Sequence, residues 1–391
     1  MLWSTLTVLL STIVPALASP VAPVARNVAP AAPLTKRWDH PVAAPKVFVI
    51  SMFSPEDVWT QALDLNNNIT LPGLSPLFPN VRCNAAGEIC HFITGEGEIN
   101  AAASVTALLS TDALDLRHTY FLIAGIAGVN PNFGTLGSAG LARYAVQVAL
   151  AHELDAREMP QDWPTGYFLQ GTKEPNVING AEHYGTEVFE LNTNLRERVH
   201  AYTEGLTLND TVKAQAFRVK YPQDVAKAPP SVIYGDVATS DVYFAGELLC
   251  QAFANITKLW TNGTGEYVFT AQEDNATFEV FIRYHLAGLV DFARVILLRT
   301  GSDFDRAPPG MSAYDGFTAD QGGFPPALQN LFVVGNPIVQ GIINDWDEFE
   351  GGIAPQDGWL STADVLHTLD AGGARQKRSL GRYAAAREAL E

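Results

Sequence analysis

Asp291-Phe292-Ala293-Arg294-Val295-Ile296-Leu297-Leu298-Arg299-Thr300-Gly301-Ser302-Asp303-Phe304-Asp305-Arg306 is the stretch whose reading decides the fold. Its middle, Val295 to Leu298, is a short apolar run bounded by polar residues and Gly301. Such a run reads as a strand buried on both faces, the kind found inside a parallel sheet. The strand then delivers Ser302 and Asp303 into a loop. A carboxylate just past a strand lies at the carboxyl edge, where α/β sheets place their ligands. Asp303 is therefore a candidate catalytic residue; the plainer alternative is a loop aspartate that caps the next turn.

The same strand-then-polar phrase recurs along the chain. Pro45 to Met52 opens the core with a strand, followed by Ser54-Pro55-Glu56-Asp57. Ser54 is a natural N-cap, with Pro55 at the first helical position and acids in the first turn. Glu56 and Asp57 thus have a structural explanation, and a functional one if a carboxylate at this strand end faces a cleft. Tyr120 to Val129 is a buried strand ending in Gly125-Ile126-Ala127-Gly128. At its two glycines, Gly125 and Gly128, the backbone can approach a small ligand closely, which makes Gly125 and neighbouring Ala127 candidate binding positions. Ser231 to Phe244 reads as strand, polar turn and aromatics, with Asp241, Val242 and Tyr243 at its end. Gly265 to Ala271 is a strand delivering Gln272-Glu273-Asp274-Asn275, and Phe278 to Ala287 is the crossover helix that leads back to the opening stretch. Tyr184 to Asn192 suggests a rim element, and Leu195 to Gly205 a helix. Strands alternating with helices predict one α/β domain with a mostly parallel sheet.

Composition narrows the function. The 391 residues are 47% hydrophobic and 17% charged, with a formal net charge of −17, which disfavours nucleic acid or an anionic membrane as partner. Residues 1–18 read as a signal peptide ending Ala16-Leu17-Ala18, and residues 19–37 as a propeptide closing on the dibasic Lys36-Arg37. The mature domain would then run over residues 38–391, with a helical C-terminal tail, basic over Gln376–Arg382. A secreted or cell-surface protein is expected, without a membrane span in the mature chain. Sequons at Asn68, Asn209, Asn255, Asn262 and Asn275 agree with secretion. Cys83 and Cys90 bracket a short turn and predict a local disulfide, whereas Cys250 reads as a buried small apolar residue.

The chemistry-bearing clusters are rich in carboxylates. No His/Cys/carboxylate set has metal-ligand spacing, no Gly-x-Ser-x-Gly elbow or phosphate-binding loop occurs, and no cofactor is expected. Gly95-Glu96-Gly97-Glu98 lacks the third glycine of a dinucleotide fingerprint, and its acids would repel a pyrophosphate. Carboxylates with aromatics suit cleavage of a bond whose transition state is cationic, such as a glycosyl bond.

The phrases Gly95-Glu-Gly-Glu-Ile-Asn-Ala-Ala-Ala, Ala124-Gly-Ile-Ala-Gly, Tyr184-Gly-Thr-Glu-Val-Phe-Glu-Leu-Asn, Gln272-Glu-Asp-Asn-Ala-Thr and Leu298-Arg-Thr-Gly-Ser-Asp resemble the purine nucleoside permease family of fungi and bacteria. More distantly the chain resembles the purine nucleoside phosphorylase and methylthioadenosine/S-adenosylhomocysteine nucleosidase superfamily. That resemblance implies a three-layer α/β/α sandwich with a twisted mixed, mostly parallel sheet. It implies that Asp303 donates a proton to purine N7, that Gln272-Glu273 holds the ribose hydroxyls with Asn275 in support, and that Tyr243 stacks on the base. Glu56 or Asp57 would activate water. Where phosphorylases of this type carry Arg and Ser for phosphate, this chain has Ile123 and Ile126, so water is the expected nucleophile. A purine nucleosidase is the resulting expectation. Its rivals are a nucleoside uptake component that binds without cleaving, and a phosphorylase using unrecognised phosphate ligands. Self-association as a dimer or trimer is a further expectation from the resemblance.

Overall fold

A computed structural model describes residues 41–359. The expected signal peptide, propeptide and basic tail lie outside those residues. The strands are β1 (Val47–Ser51), β2 (Asn67–Thr70), β3 (Asn80–Cys83), β4 (Ile89–Ile93), β5 (Tyr120–Val129), β6 (Ala139–Leu141), β7 (Tyr144–Gln147), β8 (Ala151–Glu153), β9 (Tyr167–Leu169), β10 (Val188–Glu190), β11 (Val232–Tyr234), β12 (Asp236–Thr239), β13 (Tyr267–Ala271) and β14 (Val295–Phe304). The helices are α1 (Glu98–Leu109), α2 (Thr193–His200), α3 (Val212–Arg218), α4 (Asp224–Lys227), α5 (Glu247–Trp260), α6 (Asp274–Leu286), α7 (Ala313–Thr318), α8 (Phe324–Asn344) and α9 (Trp346–Phe349).

The central strands run parallel: β5 pairs β1 on one side and β14 on the other, and β4 extends the sheet beyond β1. A second parallel set, β7, β12 and β13, joins antiparallel where Phe269 of β13 meets Val129 of β5. Antiparallel pairs close the margins, at β10 with β7 and at β2 and β3 beside β4.

Period-two alternation explains why the core strands read as unbroken apolar runs. Val295 and Leu297 of β14 join Phe48, Ile50, Phe121 and Phe281 in one cluster. Ile296 and Leu298 join Val49, Leu122, Val334 and Ile338 in another. Helix α8 covers the second face, and α1 and α6 cover the first, so every side chain of β1 and β4 is buried, as are all but one each of β5 and β14, and the architecture is α/β/α. Each such Leu, Ile or Phe contributes about 1.5–3 kcal/mol relative to exposure.

One expectation is corrected here. Strand β14 does not end at Leu298 and deliver Ser302-Asp303 to a loop; it runs on to Phe304 beside β5. The pairing skips from Gly301 opposite Ala127 to Asp303 opposite Gly128, which leaves Ser302 as an extra residue. This is a β-bulge, a device that re-aims side chains within a continuing ladder.

Cys83 and Cys90 are joined by a disulfide across the β3–β4 pair, and Cys250 is a buried free thiol.

Candidate active site

A cavity of about 430 Å³ opens over the strand ends. Glu56, Glu273 and Asp303 share its wall, although they come from three separate parts of the sequence.

Glu56 ends a one-turn 3-10 helix, Ser54–Glu56, directly after β1. Ser54 is the first residue of that turn and does not cap it, contrary to the sequence expectation. Instead the Glu56 carboxylate folds back: Oε2 accepts the Met52 N–H at 2.8 Å and Oε1 accepts the Ile126 N–H of β5 at 2.8 Å. Glu56 is 2% exposed, and burial pushes its pKa up to about 7, against the opposing pull of Arg299 and the two amides. Asp57 faces elsewhere. Its Oδ2 pairs with Arg82 at 2.9 Å, and it does not line the cavity. In a 3-10 turn neighbouring side chains point about 120° apart, so only one of the two acids can face the pocket.

Gly125 is not a ligand-facing position. A Cβ there would stand 2.1 Å from Met52 Cε, 2.5 Å from Arg299 Nη1 and 2.9 Å from Glu56 Oε1. Gly125 makes the room in which Glu56 and Arg299 sit, while Ala127 and Gly128 carry the strand along the cavity wall.

Glu273 occupies the position before α6. Rather than capping that helix, its Oε1 accepts the Gly97 N–H at 3.0 Å, across from the turn that opens α1. Gly97 has φ of +86°, a left-handed conformation suited to glycine. Glu273 is 4% exposed and burial raises its pKa, with Arg299 pulling the other way. Gln272 lines the same cavity, its Nε2 donating to the Asp241 carbonyl at 2.9 Å. Asn275 does not reach the cavity. Two residues into the helix it is rotated away, and its Nδ2 donates to the Thr186 carbonyl at 2.8 Å. At 2% exposure its sequon is not on the surface.

Asp303 is partly buried, and burial pushes its pKa up to about 6. Tyr243 donates its hydroxyl to Asp303 Oδ2 at 3.0 Å, and Ser302 Oγ lies 2.7 Å from Oδ1. The Tyr243 ring, more than half exposed, meets Phe317 edge-on at 5.5 Å and forms an aromatic mouth with it. Phe317 and Phe324 line the cavity from α7 and the start of α8, a contribution no sequence pattern announced.

The sequence reading also gave Arg299 no role. It is 2% exposed, its Nε and Nη2 engage the Asp274 carboxylate, and its Nη1 donates to the Ile126 carbonyl at 3.2 Å. Nη2 also lies 3.6 Å from Glu273 Oε2. Arg299 thus ties the start of α6, beside Glu273, to Ile126, whose amide Glu56 accepts. The signal was present: an arginine inside an apolar strand run must find a buried anion.

The cavity therefore places one ionisable carboxyl on its floor, a second beside an arginine and a third against two hydroxyls, with aromatics at the entrance. Such a set can hold hydroxyls, accept a proton from water and give a proton to a leaving group.

The profile of the family described as purine nucleoside permease (NUP) matches residues 44–354. A purine nucleoside permease of Candida albicans (strain SC5314) is 47% identical over 315 residues, covering 79% of this chain and 77% of that protein. A probable purine nucleoside permease of Schizosaccharomyces pombe is 39% identical over 316 residues, 78% of this chain and 91% of its own length. Among solved structures, a 5′-methylthioadenosine/S-adenosylhomocysteine nucleosidase from Neisseria meningitidis aligns with a TM-score of 0.44 at 16% identity, over 75% of this chain and 98% of that one. The futalosine hydrolase of Helicobacter pylori aligns with a TM-score of 0.45 at 14% identity, over 76% and 98%.

Proposed function

Since the chain belongs to the purine nucleoside permease family, we propose that its cavity binds a purine nucleoside and cleaves the N-glycosidic bond with water. The observation that carries this reading is the gathering of Glu56, Glu273 and Asp303 around one cavity of about 430 Å³.

In this mechanism the Glu273 carboxylate accepts hydrogen bonds from the ribose hydroxyls. Its charge favours the oxocarbenium character that grows at C1′. The bond from C1′ to N9 breaks, and its electron pair flows into the purine. Asp303 delivers its proton to N7, so the base leaves neutral. Water adds to C1′ from the opposite face while Glu56 takes its proton. Burial supports both roles, because it leaves Asp303 protonated further up the pH scale and makes Glu56 a stronger base than a solvated glutamate. Tyr243 and Phe317 offer ring faces and edges to the base.

Water is favoured over phosphate by the charge of the walls. Among the described residues Arg299 is the one basic residue lining the cavity, and Asp274 already engages it. Glu56, Glu96, Glu273, Asp303 and Asp320 line the same space. A phosphate dianion entering there would lose its hydration without gaining free donors.

A second reading, binding without cleavage in the service of uptake, is favoured by the name of the relatives. Among the described residues no helix is long and apolar enough to cross a membrane. Purified protein incubated with inosine or adenosine, with and without phosphate, decides between the readings. The expected products are free base and unphosphorylated ribose in both conditions. Ribose 1-phosphate would replace hydrolysis by phosphorolysis, and unchanged nucleoside would leave only binding.

A further inference from the structure

Behind the Glu56 turn, on the side away from the cavity, lies a second polar array. We propose that His91 is a positioning residue for Glu56: Asp57, His91 and Ser51 form a strut that fixes the turn presenting that carboxylate. The inference rests on the reading of Glu56 as the base.

His91 sits on β4 and is 1% exposed, between Cys90 and Phe92. Its Nε2 lies 3.2 Å from Ser51 Oγ, at the end of β1. Ser51 Oγ in turn lies 3.4 Å from the main-chain oxygen of Glu56. On the other edge of the ring, Nδ1 is 3.5 Å from Asp57 Oδ1 and 3.4 Å from Thr60 Oγ1. Asp57 is itself fixed, accepting the Thr60 N–H at 3.0 Å and Arg82 at 2.9 Å. The two acids that sequence could not tell apart thus divide the work: Glu56 faces the cavity and Asp57 anchors the array behind it.

Packing alone does not call for an imidazole here. The other β4 residues Ile89, Phe92 and Ile93 are apolar, and a buried ring with unmet nitrogens costs about 1–3 kcal/mol. The base of the strut is also cross-linked. Arg82 pairs with His91 in the β3–β4 register, and the next rung is the Cys83–Cys90 disulfide.

Proton bookkeeping makes the link directional. A neutral imidazole has one donor and one acceptor. Because the Ser51 hydroxyl donates to the Glu56 carbonyl, Nε2–H is the donor to Ser51 Oγ and Nδ1 accepts the Thr60 hydroxyl. A doubly protonated ring would keep the Ser51 link and turn an added Nδ1–H towards Asp57. Burial and Arg82 hold His91 down, to about 4, against the pull of Asp57, so the neutral arrangement prevails at neutral pH. The charged groups facing Glu56 itself are Arg299 of β14 and Glu273 before α6. Asp57, Arg82 and His91 line a separate cavity of about 200 Å³, so the strut borders its own opening.

The test reads Glu56 without substrate, by carbon-13 NMR titration of its carboxyl, with the resonance assigned from Glu56→Gln. In the wild type the midpoint is expected near the value of about 7 that burial imposes. In His91→Phe the turn loosens, water reaches the carboxylate, and the midpoint falls towards the ordinary glutamate range. His91→Gln, which keeps one donor and one acceptor, restores the wild-type midpoint. Ser51→Ala, a smaller change that cuts the strut at its middle, moves the midpoint in the same direction as His91→Phe and decides the matter if that variant does not fold. Cleavage should follow, with kcat down about tenfold or more in His91→Phe and KM nearly unchanged. Variants that melt earlier but titrate Glu56 as the wild type does would make His91 a packing residue and overturn the proposal. Absence of cleavage by the wild type would overturn only the reaction, since the midpoint is measured independently of it.

Discussion

Replacing Asp303 by Asn is expected to lower kcat for nucleoside cleavage by about 10²- to 10⁴-fold, the range for loss of a positioned general acid. The substitution keeps the size of the side chain and its ability to meet Ser302 and Tyr243. It removes the proton that a leaving purine needs. Because the base still has its aromatic surroundings, KM should move far less than kcat, the signature of an interaction made in the transition state. A variant with unchanged kcat would remove Asp303 from the chemistry.

Glu56→Gln should cost a comparable factor, and its pH dependence separates it from Asp303→Asn. Asp303 must hold its proton, so activity is lost as pH rises through its value of about 6. Glu56 must have lost its proton, so activity is lost as pH falls through about 7. The wild-type profile is therefore a narrow bell centred between these values, with limbs that belong to the pair until variants assign them. Glu56→Gln removes the acid limb and leaves a rate that only falls with rising pH. Asp303→Asn removes the alkaline limb and leaves a rate that only rises. A bell that survives in either variant would mean that another group titrates.

Much of the frame behind these predictions is legible in the sequence. Strands β1, β5, β13 and β14 announce themselves because both their faces are buried, and the runs Val47–Ile50 and Val295–Leu298 need no partner to be recognised. The far end of β14 is different. Thr300 to Phe304 is polar and irregular, and it becomes strand only because Ile126 to Val129 of β5 lies alongside. That partner is distant in sequence, so the bulge that aims Asp303 has no local signal.

Side-chain direction is the other thing a one-dimensional reading lacks. Glu56 and Asp57 are adjacent carboxylates with the same local explanation. The amides of Met52 and Ile126 draw one to the cavity and Arg82 draws the other away. Asn275 stands two residues from Glu273, but the helix between them turns it towards Thr186. Arg299 lies in the most readable stretch of the chain, but its partner has no local signal, because Asp274 belongs to the preceding helix. A buried charge in an apolar run is a question about its counterion, and that question leads directly to the site.

The central claim is that Glu273 faces the sugar and Asp303 faces the purine in one bound nucleoside. A crystal structure of the Asp303→Asn variant soaked with inosine tests it most directly. The account predicts ribose hydroxyls within hydrogen-bond distance of Glu273, purine N7 against residue 303, and a water between Glu56 and C1′. A nucleoside bound with its sugar towards residue 303, or bound outside this cavity, would contradict it.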